Sequence, residues 1–144
     1  MPRMKAVLTL EEAKRMLAAG EAEAARNSWA VAIAVLNDSG VLVALHAMDG
    51  ARPGNPQTAI NKAHTSAMTQ RSSKVFEDWV VKDRRISLLG MGFLPLQGGL
   101  PIIVDGHCLG SVGVSGVASH EDEQVGRAAI NAAFPNAVYV RPGD

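Results

Sequence analysis

Residues 98–116, GGLPIIVDGHCLGSVGVSG, constrain the fold of this chain more than any other stretch. Residues 100–104 are an apolar run, Asp105-Gly106 is a two-residue turn, and residues 108–114 form a second run. Asp-Gly between apolar runs predicts a β-hairpin, because a type I′ turn needs positive φ at both central positions. Glycines crowd the outer ends, at Gly98-Gly99 and at Gly113 and Gly116. A missing Cβ there lets another backbone or a ligand come close. The hairpin is therefore either scaffold or the floor of a pocket.

The preceding sequence supplies a second hairpin and helices. Thr9 and Glu12 fit a capping box opening a first helix, with Leu10, Ala13, Leu17, Gly20 and Ala24 on its inner side. Residues 30–36, AVAIAVL, are apolar without alternation, which suits a strand covered on both faces. Asn37-Asp38-Ser39-Gly40 turns the chain into a partner strand over 41–47. A Pro/Gly/Asn-rich loop over 48–56 follows, and loops on a rigid sheet commonly carry function. A second helix starts near Pro56 and runs to about Gln70, with Ile60, His64 and Met68 on one stripe and Lys62, Thr65 and Thr69 on another. Ser72-Ser73 caps a short third helix through Phe76 and Trp79, and a short strand is expected over 91–94. Ser119 caps a fourth helix with Glu121, Asp122 and Glu123 in its first turn and Val125, Ala128, Ala129 and Ala132 buried, and Val138–Val140 adds a tail strand. Antiparallel hairpins separated by helices predict a single α+β domain over 1–144, not a Rossmann fold.

Charge narrows the function classes. Lys plus Arg and Asp plus Glu each number 14, and no basic stripe appears, which argues against a nucleic-acid partner. Residues 82–85, KDRR, read as a solvated helix end. With no charge surplus, solubility rests on mixed surface charge or on apolar surface hidden in an oligomer. The one cysteine, Cys108, excludes an internal disulfide and any multi-cysteine zinc site. No segment reads as a signal peptide or a bilayer span, so no membrane partner and a cytoplasmic location are expected.

Few residues offer chemistry. His46, His64, His107 and His120 lack metal-ligand spacing. His64, between Ile60 and Met68, is either a satisfied core or surface histidine or a ligand to haem iron, which accepts His or Met axially. Lys62 is either an exposed helix lysine or, beside the loop carrying Asp49 and Arg52, an anchor or base for an anionic ligand. No nucleophile elbow, triad order or telling carboxylate pair is present.

Five segments together resemble the GlcG/HbpS family of haem-binding proteins, which includes the C-terminal domain of PduO-type cobalamin adenosyltransferases. They are LTLEEAKRMLAAGEAEA, VAIAVLNDSGVLVALHAMDGA, INKAHTSA, GFLPLQGGLPIIVDGHCLGSVGVSG and EDEQVGRAAI. The resemblance implies a five-stranded antiparallel sheet flanked by helices, of profilin-like type, and assembly into dimers or larger oligomers. It implies haem or another tetrapyrrole as ligand, and it matches Asp49, Lys62, Thr65, Gly98, Gly99, Pro101 and Gly116 by position. Residues 71–91, with Trp79, and Ala47 in place of a frequent Arg depart from the family pattern.

Three readings follow. The first is a haem- or tetrapyrrole-binding, or other small-molecule-binding, accessory protein of a catabolic or redox pathway. In it His64 ligates iron, and Arg52, Thr65, Gly98 and Gly99 form the ligand site. The second is a cofactor-independent lyase or isomerase acting on an anionic aromatic or carboxylate catabolite through Lys62 and Asp49. The third is an oligomeric scaffold without a ligand.

Overall fold

The computed structural model describes residues 1–144. Helix α1 (Leu10–Arg26) opens on the expected capping box, with the Glu12 amide donating to Thr9 Oγ1 and the Thr9 amide donating to Glu12 Oε1. Ala13, Met16, Leu17, Gly20 and Ala24 are its buried residues, while Leu10, expected inside, is half-exposed in the first turn.

Strands β1 (Ala32–Asn37) and β2 (Leu42–Ala47) form the first hairpin, and β3 (Gly99–Val104) and β4 (His107–Ser115) form the second. The second turns as its sequence demands, with φ of 50° at Asp105 and 79° at Gly106. All pairings are antiparallel, in the order β2-β1-β4-β3. β1 is central and covered on both faces, as its unbroken apolar run predicts. Val31, Ile33 and Val35 join the core under α1 and α4 (Ser119–Ala133), and Ala32, Ala34 and Leu36 pack toward α2 (Asn55–Thr69).

The sheet has four strands, not five. The expected tail strand shrinks to one bridge, in which the Ile103 and Val138 amides each donate to the other's carbonyl. Val138 and Val140 stay exposed, because Pro135 and Pro142 close the segment at both ends before a ladder can extend. The strand expected over 91–94 is also absent. A 3-10 helix, Ile86–Met91, occupies its approach and ends on left-handed Gly92, and Pro95 then removes a donor.

Helix α2 lies unusually close to the sheet. A Cβ on Gly99 would sit 2.2 Å from the Lys62 carbonyl oxygen, and one on Gly113 would sit 2.0 Å from that of Ala59. Only small residues fit at such a contact, so Ala59, Ala63, Ser66 and Ala67 face the sheet. The Ile60, His64 and Met68 stripe is turned to the flank, and Met68 is 39% exposed. Helix α3 (Ser73–Val81) is capped by Ser72, whose Oγ accepts the Lys74 amide. Helix α4 starts one residue earlier than a Ser119 cap would allow, with Ala118 as N-cap. Its buried residues are Asp122, Val125, Gly126, Ala129 and Ile130; Ala132 is exposed.

Candidate functional site

The close approach of α2 to the second hairpin buries a lysine. Lys62 is 2% exposed, and its Nζ donates to Asp122 Oδ2 at 2.9 Å and to the Val114 carbonyl at 3.0 Å. Gly98, at φ 130°, makes room: a Cβ there would lie 2.8 Å from Lys62 Nζ. Asp122 Oδ1 accepts the Val117 amide, so the carboxylate is tied at both oxygens. Burial pushes the Asp122 carboxyl above its ordinary range, against the opposing pull of the Lys62 charge. An ammonium has three N–H groups, and two are used here.

This ion pair forms the floor of an open cleft of about 580 Å³, whose wall includes Arg52, Asn55, Trp29 and Ser115. Asn55 links the loop to the sheet, accepting the Arg52 amide at 2.8 Å and donating to Ser115 Oγ at 3.2 Å. Arg52 itself is exposed. The cleft thus holds two cations, Arg52 and Lys62, and two carboxylates, Glu121 and Asp122. It is electrically balanced, with a polar rim suited to orienting a small ligand and no surplus of positive charge.

The other expected site residues are distributed around this cleft, not all within it. Asp49 is exposed and lines a separate hollow with Glu21 and His46, where His46 Nδ1 pairs with Glu21. Thr65 is buried, its Oγ1 3.0 Å from the Leu94 carbonyl oxygen, and so pins the segment before the second hairpin onto α2. Gly99 is held by Ser73, whose Oγ accepts its amide at 2.8 Å. Pro101 is buried within β3, and Gly116 lines the cleft.

His64 sits on the flank of α2, half-buried beside a hollow of about 310 Å³ formed with Asn61, Gly92, Phe93, Leu94 and Pro95. Its ring lies 5.7 Å from that of Phe93, at a tilt of 55°. Phe93 in turn meets Phe76 edge-on at 5.9 Å, and Phe76 meets Trp79 at 6.4 Å. The imidazole therefore stands at the end of a continuous aromatic wall. His107 and His120 are exposed. No group of three or more His, Cys, Asp or Glu side chains converges as a metal site. Cys108 is half-buried, and desolvation raises its thiol pKa, which leaves it a poor nucleophile.

Asp122 reads in the sequence as an ordinary helix-start acid, yet it is buried at the site. Its spacing carries the missing signal. Residues 122, 125, 126 and 129 recur at i, i+3, i+4 and i+7, which places Asp122 on the buried stripe of α4. A carboxylate on a buried stripe needs a cation, and Lys62 is that cation.

Comparison with known proteins gives a consistent neighbourhood. The family described as haem degrading protein HbpS-like matches residues 8–131. Protein GlcG of Escherichia coli strain K12 is 39% identical over 113 residues, covering 78% of this chain and 84% of that protein. The crystal structure of HbpS superposes with a TM-score of 0.85 at 27% identity, covering 92% of this chain and 94% of that one. A PduOC–haem complex shares the fold, with a TM-score of 0.84 at 21% identity, covering 94% of this chain and 100% of that one.

Proposed function

The chain belongs to the HbpS-like family, and from that membership we propose that it is a haem- or tetrapyrrole-binding accessory protein of a catabolic or redox pathway. The observation that carries the reading is the placement of His64. Its ring is half-buried against Phe93 at an open hollow, whereas His46 is engaged by Glu21. An imidazole in tilted contact with an aromatic wall suits an axial ligand, since haem iron accepts a neutral ring nitrogen and the macrocycle needs an apolar face. The haem-bound state of the PduOC structure and the HbpS likeness support the ligand class. The chain's own contribution is packing: Phe93 meets the ring at a tilt, and the Thr65–Leu94 hydrogen bond ties Phe93's segment to α2. Because the hollow is open, affinity is expected to be modest and the bound group partly solvated. Titration with haemin should give a Soret band that shifts or is lost in His64→Ala; an identical spectrum in that variant removes His64 as ligand.

A second reading is favoured by the Lys62–Asp122 pair beneath the Arg52 cleft. In it the cleft takes a small carboxylate, with Arg52 at the rim and the third Lys62 N–H as donors, and a lyase or isomerase step uses Lys62 as proton carrier. Asp49, in its separate hollow, would have to act from a loop that rearranges. Replacing the pair together, Lys62→Met with Asp122→Leu, removes both charges without stranding either. Unchanged turnover of an identified substrate in a folded double variant would exclude this reading.

A further inference from the structure

The aromatic wall that ends at His64 continues into a cleft whose two arginines neither reading uses. It is about 540 Å³, lies between the last turn of α2, α3 and the 3-10 helix, and is walled by Met68, Phe76, Trp79, Leu88, Met91 and Phe93. Phe76 is fully buried, but Met68 and Met91 stand 39% and 54% exposed, so this face leaves methionine thioethers at the water boundary. Two arginines, Arg71 and Arg141, complete the lining. The Arg71 guanidinium lies 5.2 Å from the Trp79 ring centroid, and Arg85 lies at the same distance from that ring.

The two lining guanidinium groups already converge on a carboxylate. Arg141 donates from Nε to Asp144 Oδ2 at 3.0 Å, and Arg71 donates from Nη2 to Asp144 Oδ1 at 3.4 Å. Arg141 also holds Gln70 Oε1, and Arg71 holds the Thr69 carbonyl, so both forks are steadied from α2's end. The hydrogen bond from Arg141, reinforced by its charge, keeps the Asp144 carboxyl below the usual carboxylate range. The pairs are partly exposed and lie at the surface, where ion pairs are weak, so an incoming carboxylate can take Asp144's place.

We infer that this cleft is a receptor for a planar, apolar-bodied carboxylate. Arg71 and Arg141 take the carboxylate in place of Asp144, at the seam with the adjoining hollow that Asp144 lines beside Arg71 and Trp79, and Trp79, Phe93 and the two methionines take the body. Arginine supplies the planar fork such recognition needs, and polarizable methionines adapt to a flat ring. The chemistry fits the propionate edge of a tetrapyrrole or a smaller aromatic acid. The first of these rests on the haem reading above; the second does not.

The test uses the full chain with Trp29→Phe, which leaves Trp79 as the single tryptophan reporter. Probes are protoporphyrin IX, its dimethyl ester, and 2-naphthoate, each followed by Trp79 quenching and by probe anisotropy. Protoporphyrin IX or naphthoate should bind, with affinity at least tenfold weaker in Arg71→Gln/Arg141→Gln and several-fold tighter in Asp144→Asn. The ester should bind at least tenfold more weakly than the free acid. The gain in Asp144→Asn cannot arise from misfolding, and Arg71→Lys/Arg141→Lys, which keeps the charge but not the fork, should fall between the extremes. The inference is overturned if the Gln variant binds both acids as the parent does, if neither acid binds, or if Asp144→Asn binds more weakly. Absence of a haemin Soret band in the parent, with Arg-dependent naphthoate binding intact, sinks the haem reading and leaves this one standing as an aromatic-acid site. A Soret band lost in His64→Ala, with Arg-independent porphyrin binding, does the reverse.

Discussion

Lys62 and Asp122 show how strongly one pair of residues can be committed by its surroundings. Both side chains are 2% exposed, and each is the other's only counter-charge at the cleft floor. Removing one partner strands the other in a low-dielectric site, so Lys62→Met alone should cost about 3–5 kcal/mol in urea unfolding. The double change with Asp122→Leu should recover most of that loss. The same pair sets a pH signature. Burial raises the Asp122 carboxyl, so the folded chain holds that proton more tightly than the unfolded chain does. Its contribution to stability is full below the ordinary carboxylate pKa, about 3.9, and is lost as pH rises through the folded value. Urea midpoints of the parent and Asp122→Asn, compared from about pH 3.5 to 7, should show the parent's relative stability falling as pH rises. A relative stability that instead grew with pH would mean that Lys62 outweighs burial. Lys62 itself was ambiguous in the sequence, since a mid-helix lysine is ordinarily solvated, and its burial follows from glycines more than thirty positions away.

Helix α2 is decided by the strand glycines, not by its own hydrophobic pattern. Its sequence advertises Ile60, His64 and Met68, yet the face against the sheet is Ala59, Ala63, Ser66 and Ala67 with Lys62. The reason is distance: at Gly99 and Gly113 a Cβ would overlap helix backbone, which cannot move as a flexible side chain can. Gly99→Ala or Gly113→Ala should therefore lift α2 and cost about 3 kcal/mol or more, measured by chemical unfolding. Gly126, on the buried side of α4, is the useful contrast. A Cβ there meets only side-chain methyls at 3.4 Å or beyond. Gly126→Ala should be neutral or stabilise by up to about 1 kcal/mol, because alanine favours the helix. The capping box of α1 was fully legible from Thr9 and Glu12, and Thr9→Ala should cost about 1 kcal/mol.

At the scale of the whole molecule, the sheet leaves β2 paired on one side only, with Val41 and Leu42 exposed near that edge. A chain with no net charge and such an edge has little to keep copies apart. We propose a dimer or larger assembly, and sedimentation at micromolar concentration should show one; a monomer there would count against it. No helix is long and apolar enough to cross a membrane. The aromatic wall from His64 to Trp79 joins α2, the segment before β3 and α3, and Phe93 lines both hollows that it borders.

The amino-acid sequence alone determined the hairpins, the capped starts of α1 and α3, the α+β class and the family resemblance. Each of these depends on local signals: Asp105-Gly106 at a turn, Thr9 at a cap, an unbroken apolar run at a central strand. Strand number was not local, because pairing needs a free and reachable edge, and Pro135 and Pro142 reduce the tail to one bridge. Site composition was not local either. Lys62 found Asp122 across sixty residues, and Arg71 met Arg141 at Asp144 across seventy. Asp49, three residues before Arg52 in the chain, lines a separate hollow. Residues 98–116 supplied the glycines that allowed this, and the packed helix decided which side chains the opening received.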